Sequence, residues 1–169
     1  KKDEVVRRFL SLEALGRLSM ANVSNGMVKQ AFLFGCFTGM RLSDIEALRW
    51  EQISLVNGAP FIDFRQQKPG GVERLPLSEQ AVRTLQAVKE LHVEYAPSGS
   101  EHVFILPSRS VISKHLHKLG ASAGRNWLLH FHSSRHTFAT LALTPGNDLF
   151  TVSKLLGHRE IATTEVYSH

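Results

Sequence analysis

The stretch Val28-Lys29-Gln30-Ala31-Phe32-Leu33-Phe34-Gly35-Cys36-Phe37-Thr38-Gly39-Met40-Arg41-Leu42-Ser43 decides the fold. From Val28 to Phe37 it is apolar almost all round. A helix apolar on every side has to be covered on every side, so this segment reads as a buried central helix. Thr38-Gly39-Met40-Arg41-Leu42 breaks it. Ser43 with Glu46 three residues on forms a capping-box pattern, which predicts a new helix starting at Ser43 with Ile45 and Leu48 turned inward. Arg41 then sits just before a helix N-terminus, where free N–H groups and the positive dipole end favour a phosphate. An isolated arginine there is more simply a surface residue, so Arg41 gains meaning only in company.

Outward from the central helix, Ser11 is a cap for a first helix with Leu12, Leu15 and Leu18 on one face. Ile53–Leu55, Phe61–Phe64 and Glu73–Leu77 read as short strands, with a turn at Lys68-Pro69-Gly70-Gly71. Lys68 precedes a proline and is biased to an extended backbone, at the tip of a hairpin. Ser78 caps a helix with Val82, Leu85, Val88 and Leu91 inside. His102–Leu106 is a brief apolar segment, and Val111, Ile112, Leu116 and Leu119 mark a further helix. His115 and His117 fall on different faces of it, a poor metal pair. The fold class expected is α+β, mostly helical with a small antiparallel β-sheet.

The 169 residues, 43% of them hydrophobic, suffice for a single domain with a sizeable core. The net charge of +5 suits a polyanion such as nucleic acid. Cys36, the only cysteine, lies in an apolar run and reads as a core residue. A disulfide framework is excluded, in keeping with a reducing cytoplasm. No signal peptide, membrane-spanning run or repeat is seen. The chain starts without Met and closes two residues after Tyr167, so it reads as a fragment of a longer protein.

Phe131-His132-Ser133-Ser134-Arg135-His136-Thr137-Phe138-Ala139-Thr140-Leu141 is the second decisive stretch. Ser133 or Ser134 is expected to cap a helix whose apolar face is Phe138, Leu141 and Ala142. Thr144-Pro145-Gly146 ends it. His132 precedes the start and Arg135 lies in the first turn, where the dipole disfavours a cation. An anion bound by both accounts for that placement. Asp148 caps a last long helix ending at Leu155-Leu156-Gly157, which puts His158 on a turn past a left-handed cap. Thr163 or Thr164 begins a short helix that carries Tyr167.

Arg41, Lys68, His132, Arg135, His158 and Tyr167 thus occupy helix ends and turns, positions from which groups converge on a ligand. Two arginines bind a phosphodiester in bidentate fashion and stay charged at working pH. They stabilise a pentacoordinate phosphorane better than the ground state. Tyr167 is then the nucleophile of a covalent phosphotyrosyl intermediate, and Lys68 the general acid for a poor sugar leaving group. No metal-ligand motif or nucleotide-binding loop appears. A zinc cluster assembled from the 9 histidines is the weaker reading.

Thr38-Gly39-Met40-Arg41-Leu42-Ser43-Asp44, Gln67-Lys68-Pro69-Gly70 with Arg74-Leu75-Pro76-Leu77, His132-x-x-Arg135-His136-Thr137-Phe138-Ala139-Thr140 and Leu155-Leu156-Gly157-His158…Thr163-Thr164-x-x-Tyr167-x-His169 together resemble the tyrosine recombinases of the phage-integrase family. The likeness runs from about Ser11 to His169. It implies that Arg41 and Arg135 clamp the phosphate and that His132 assists proton transfer at the nucleophile. His158 would hydrogen-bond a non-bridging oxygen, Lys68 protonate the leaving 5′ oxygen and Tyr167 form a 3′-phosphotyrosine. Asp44 matches an acidic position read as structural support. No cofactor or metal is implied.

The partners implied are double-stranded DNA, further copies in a tetrameric synapse and DNA-bending accessory proteins, with no membrane, in a bacterial cytoplasm at the nucleoid. Residues 1–169 would form one catalytic domain, without the family's N-terminal clamp domain and C-terminal tail. Ser134 stands where the family often has leucine, so a local packing change is expected. Integration or excision of a mobile element is the expected use, and replicon resolution the second. The rivals are a DNA-binding module of this fold that has lost catalysis, and a metal phosphodiesterase.

Overall fold

The computed structural model describes residues 9–65, 72–124 and 128–143. Helices α1 (Leu12–Met20), α2 (Gly26–Thr38) and α3 (Leu42–Ala47) come first. A short 3-10 turn, Trp50–Gln52, leads into strands β1 (Ile53–Val56), β2 (Ala59–Arg65) and β3 (Val72–Pro76), and α4 (Glu79–Tyr95), α5 (Arg109–Ser122) and α6 (Ser133–Ala142) follow. The expected class, mostly helical with a small antiparallel sheet, is the one observed.

Helix α2 is the buried centre that its sequence predicts. Met27, Val28, Ala31, Phe32, Leu33, Phe34, Gly35, Cys36 and Thr38 are all buried. The helix divides the core. On one side Phe34 and Ala31 pack with Ile45, Leu48, Ile62, Val88 and Phe104; on the other, Phe32 and Val28 pack with Leu15, Leu18, Ile112 and Leu116. Phe32 and Phe34 are fully buried, and burial of each contributes about 1.5–3 kcal/mol. Asn25 caps the start, accepting from the Val28 amide at 3.1 Å. Gly39 ends the helix in the left-handed region (φ 74°), its amide bonded to the Gly35 carbonyl, the conformation glycine adopts without steric cost.

Two serine caps stand as expected: Ser11 accepts from the Ala14 amide and Ser78 from the Ala81 amide. The face of α1 differs in one residue. Ala14, Leu15 and Leu18 are buried, whereas Leu12 is 69% exposed. The capping box at Ser43 does not form. Arg41, in extended conformation, is the N-cap residue just before α3, and Ser43 is exposed inside the first turn. Gly39 and the buried Met40 bring the chain into α3 one step early. Glu46, the other half of the expected box, instead pairs with Arg109 at 2.7 Å.

The sheet order is β1-β2-β3, antiparallel throughout. Asn57 (φ 51°) and Gly58 (φ 81°) both take positive φ between the paired residues Val56 and Ala59. That is the two-residue turn whose twist matches the strands it joins. Ile62 and Leu75, opposite each other, point into the core. Asp63 ties the three strands, accepting from Ser54 at 3.0 Å and Arg74 at 2.8 Å. The last described pair, Arg65↔Val72, flanks the connection that holds Lys68.

Helix α6 starts at Ser133, as expected, but neither serine caps it. His132 is the N-terminal cap residue, in helical conformation and without a side-chain cap bond. Its buried face is Ser133, Ser134, Arg135, Thr137 and Ala139. Phe138, Leu141 and Ala142, the expected inner face, are only half-buried. The reason is the crossing with α2, which meets α6 at Gly35 and admits only small side chains there.

Candidate active site

The site is built where the end of α2 meets the start of α6. Arg135 is 5% exposed and donates Nε–H to the Gly39 carbonyl at 2.9 Å. The left-handed turn at Gly39 thus supplies both the end of α2 and an anchor for the guanidinium. This bond fixes the plane of a group that would otherwise have several rotamers. Buried arginine is costly unless hydrogen-bonded, and an anion is the natural complement for its charge. The dipole of α6 does not offer that complement, because Arg135 lies at its positive end.

Helix α6 is pinned a second time. Thr137, fully buried, accepts the Leu10 amide through Oγ1 at 3.0 Å. Sequence reasoning did not find either anchor. The acceptor for Arg135 is a backbone carbonyl and the donor for Thr137 a backbone amide, and neither leaves a mark in residue types.

Arg41, two residues after Gly39, is exposed, and its side chain makes no hydrogen bond or ion pair among the described residues. His132 is open to solvent on one side and meets His136 edge-on, ring centroids 4.8 Å apart. Its pKa is held below the ordinary imidazole value, first by partial burial and then by the positive charges of Arg135 and Arg41. The three groups therefore share one electrostatic neighbourhood, in which burial and two nearby cations favour the neutral form of His132. A neutral imidazole accepts a proton, and a pair of guanidinium groups attracts a doubly coordinated oxyanion.

Asp44, expected to support the site, is exposed and has no side-chain partner among the described residues. Lys68, His158 and Tyr167 lie outside the described residues. Among the described residues no group of three or more His, Cys, Asp or Glu side chains is placed to hold a metal ion. His115 and His117 are apart, as their spacing predicts. His115 approaches Ser24, while His117 lies edge-on to His130.

A mostly helical domain with a small three-stranded antiparallel sheet matches the catalytic-domain architecture of tyrosine recombinases. Residues 12–169 match the phage integrase family, and the chain belongs to it. It is 32% identical over 180 residues to the tyrosine recombinase XerC of Oceanobacillus iheyensis, covering 100% of the chain and 59% of that protein. With the tyrosine recombinase XerD of Rhizobium meliloti it shares 35% identity over 142 residues, covering 78% of the chain and 43% of the relative. The chain thus spans about half the length of these relatives. The crystal structure of XerA recombinase superimposes with a TM-score of 0.79 at 25% identity, over 100% of this chain and 61% of that one. The site-specific recombinase XerH, in a pre-cleavage complex with its difH substrate, shares the fold at a TM-score of 0.75 and 21% identity, over 95% of this chain and 50% of that one.

Proposed function

We propose that the chain is the catalytic part of a site-specific DNA recombinase that breaks and rejoins strands through Tyr167, without metal or cofactor. The convergence of Arg41, His132 and Arg135 at the α2–α6 crossing carries this reading. Membership of the family and the recombinases among its relatives support it.

In this mechanism Arg41 and Arg135 hold the non-bridging oxygens of the scissile phosphate, with His158 as a further donor. Tyr167 Oη attacks phosphorus, and neutral His132 assists removal of its proton. The bond from phosphorus to O5′ breaks, and Lys68 donates a proton to that oxygen. A 3′-phosphotyrosine and a free 5′-hydroxyl result. Attack by a 5′-hydroxyl of a second strand reverses each transfer, so the bond energy is conserved. The arginines stabilise the charge that grows on the phosphorane, the largest contribution to such a rate.

Double-stranded DNA is the partner, with further copies gathered on it into a tetramer and accessory proteins that bend the DNA. A bacterial cytoplasm, at the nucleoid, is the expected setting. No described helix is long and apolar enough to cross a membrane. Integration or excision of a mobile element is the proposed use.

Incubation with nicked duplex DNA from the element's end, in chelator, followed by a denaturing gel, tests this. A protein–DNA adduct is expected, lost in Tyr167→Phe. An adduct that persists in Tyr167→Phe removes the nucleophile assignment. Absence of an adduct from both this chain and the longer protein leaves a DNA-binding module as the function.

A further inference from the structure

Helices α2 and α6 touch through a residue with no side chain. A Cβ placed on Gly35 would lie 2.7 Å from Ser134 Oγ, 3.0 Å from Ser134 Cβ and 3.4 Å from Phe131 Cε1. The serine hydroxyl can rotate away from such an atom, but the serine Cβ moves only with its backbone. Ser134 is fully buried, and its hydroxyl has no hydrogen-bond partner among the described residues. A buried unpaired hydroxyl is unfavourable, so its presence is explained by its small size and not by a bond it makes.

The same turn of α2 reaches the site. Gly35 accepts the Gly39 amide at 2.8 Å, and Gly39 accepts Arg135 Nε at 2.9 Å. Consecutive residues of α6 therefore rest on the two ends of one hydrogen-bonded turn, Ser134 on Gly35 and Arg135 on Gly39.

We propose that Gly35 and Ser134 are positioning residues for Arg135: their contact sets the helix separation at which its guanidinium seats on the Gly39 carbonyl. That this seating aims Arg135 at a DNA phosphate rests on the recombinase reading; the seating itself does not. A larger residue at position 35 pushes α6 outward. The Arg135 bond then lengthens beyond good geometry, because a side chain this buried has little room to follow.

The test is nuclear magnetic resonance on the nitrogen-labelled 169-residue chain, following the Arg135 Nε–H signal and its exchange with water. In the native chain the signal is protected. Gly35→Ala is expected to shift it and abolish its protection. Gly35→Ala combined with Ser134→Gly, which removes the two serine atoms the new methyl would crowd and leaves Phe131 Cε1 at ordinary contact distance, restores both. Ser134→Ala, which keeps the Cβ and drops only the hydroxyl, leaves the signal in place. An unchanged signal in Gly35→Ala overturns the proposal, as does failure of the double variant to restore it. If Gly35→Ala does not fold, the double variant decides alone: it must fold with the native signal, or the proposal fails. None of these readings needs DNA. Native behaviour here with an adduct that persists in Tyr167→Phe removes the nucleophile assignment and not the seating.

Discussion

Replacing Thr137 by valine removes one oxygen from the interior and almost nothing else. Thr137 Oγ1 accepts the Leu10 amide at 3.0 Å, and both residues are 0% exposed. Valine has the same branched shape and a similar helix propensity, so no cavity opens and α6 keeps its backbone. What changes is that the Leu10 amide loses its acceptor where water does not reach it. An unpaired buried donor costs about 1–3 kcal/mol. In a chain of this length each kcal/mol moves the melting temperature by about 2–4 °C, so a fall of about 2–12 °C is expected.

Thr137→Ser is the comparison. It keeps the acceptor and loses a methyl worth about 0.8 kcal/mol. The more apolar variant should therefore be the less stable one, the reverse of what burial alone orders. Thermal unfolding followed by circular dichroism, with urea midpoints alongside, reads the order. Amide exchange at Leu10 should stay slow in the serine variant and become fast in the valine variant. A valine variant as stable as the native chain would refute the argument that this bond pins α6.

Arg41→Ala should change stability by less than about 0.5 kcal/mol, as for surface substitutions generally, because the side chain has no partner among the described residues. Its DNA affinity should fall and its salt slope drop by about one, read by titration at several salt concentrations. For His132, burial and two guanidinium charges hold the folded pKa below the ordinary value. The unfolded chain then binds more protons beneath about pH 6.5. This contribution to stability is complete above that pH and is lost as pH falls below it, and Arg41→Ala should lessen the loss. Imidazole titration by NMR and unfolding at several pH values check both. Cys36 is fully buried and its thiol pKa is pushed up by desolvation. A thiol reagent should leave it untouched until the chain unfolds.

Local signals carried far in this sequence. The apolar run of α2 and the serines before α1 and α4 were readable because each element declares itself within a few residues. The Asn57-Gly58 pair was an equally strong hairpin signal, and it lay unread between two strands that were placed correctly. Ser43 and Ser133 misled for the same reason. Their residue type favours a cap, but Arg41 and His132 occupy the cap positions of α3 and α6. The inner face of α6 is polar, so apolar periodicity selected Phe138 and Leu141 instead. Arg41, His132 and Arg135 could be named from residue type and position, and the structure brings them together. What holds Arg135 could not be named, because a carbonyl belongs to every residue.

The two bonds that pin α6 join positions 127 and 96 residues apart. A chain made from its N-terminus outward has α1 to α5 in hand long before α6 exists. Until then the α2 face at Gly35 stays bare and Gly39 has no arginine to receive. Arg135 and His132 become available together, on the same helix, only once α6 has been made. A half-synthesised copy therefore carries Arg41 without Arg135 and His132 beside it.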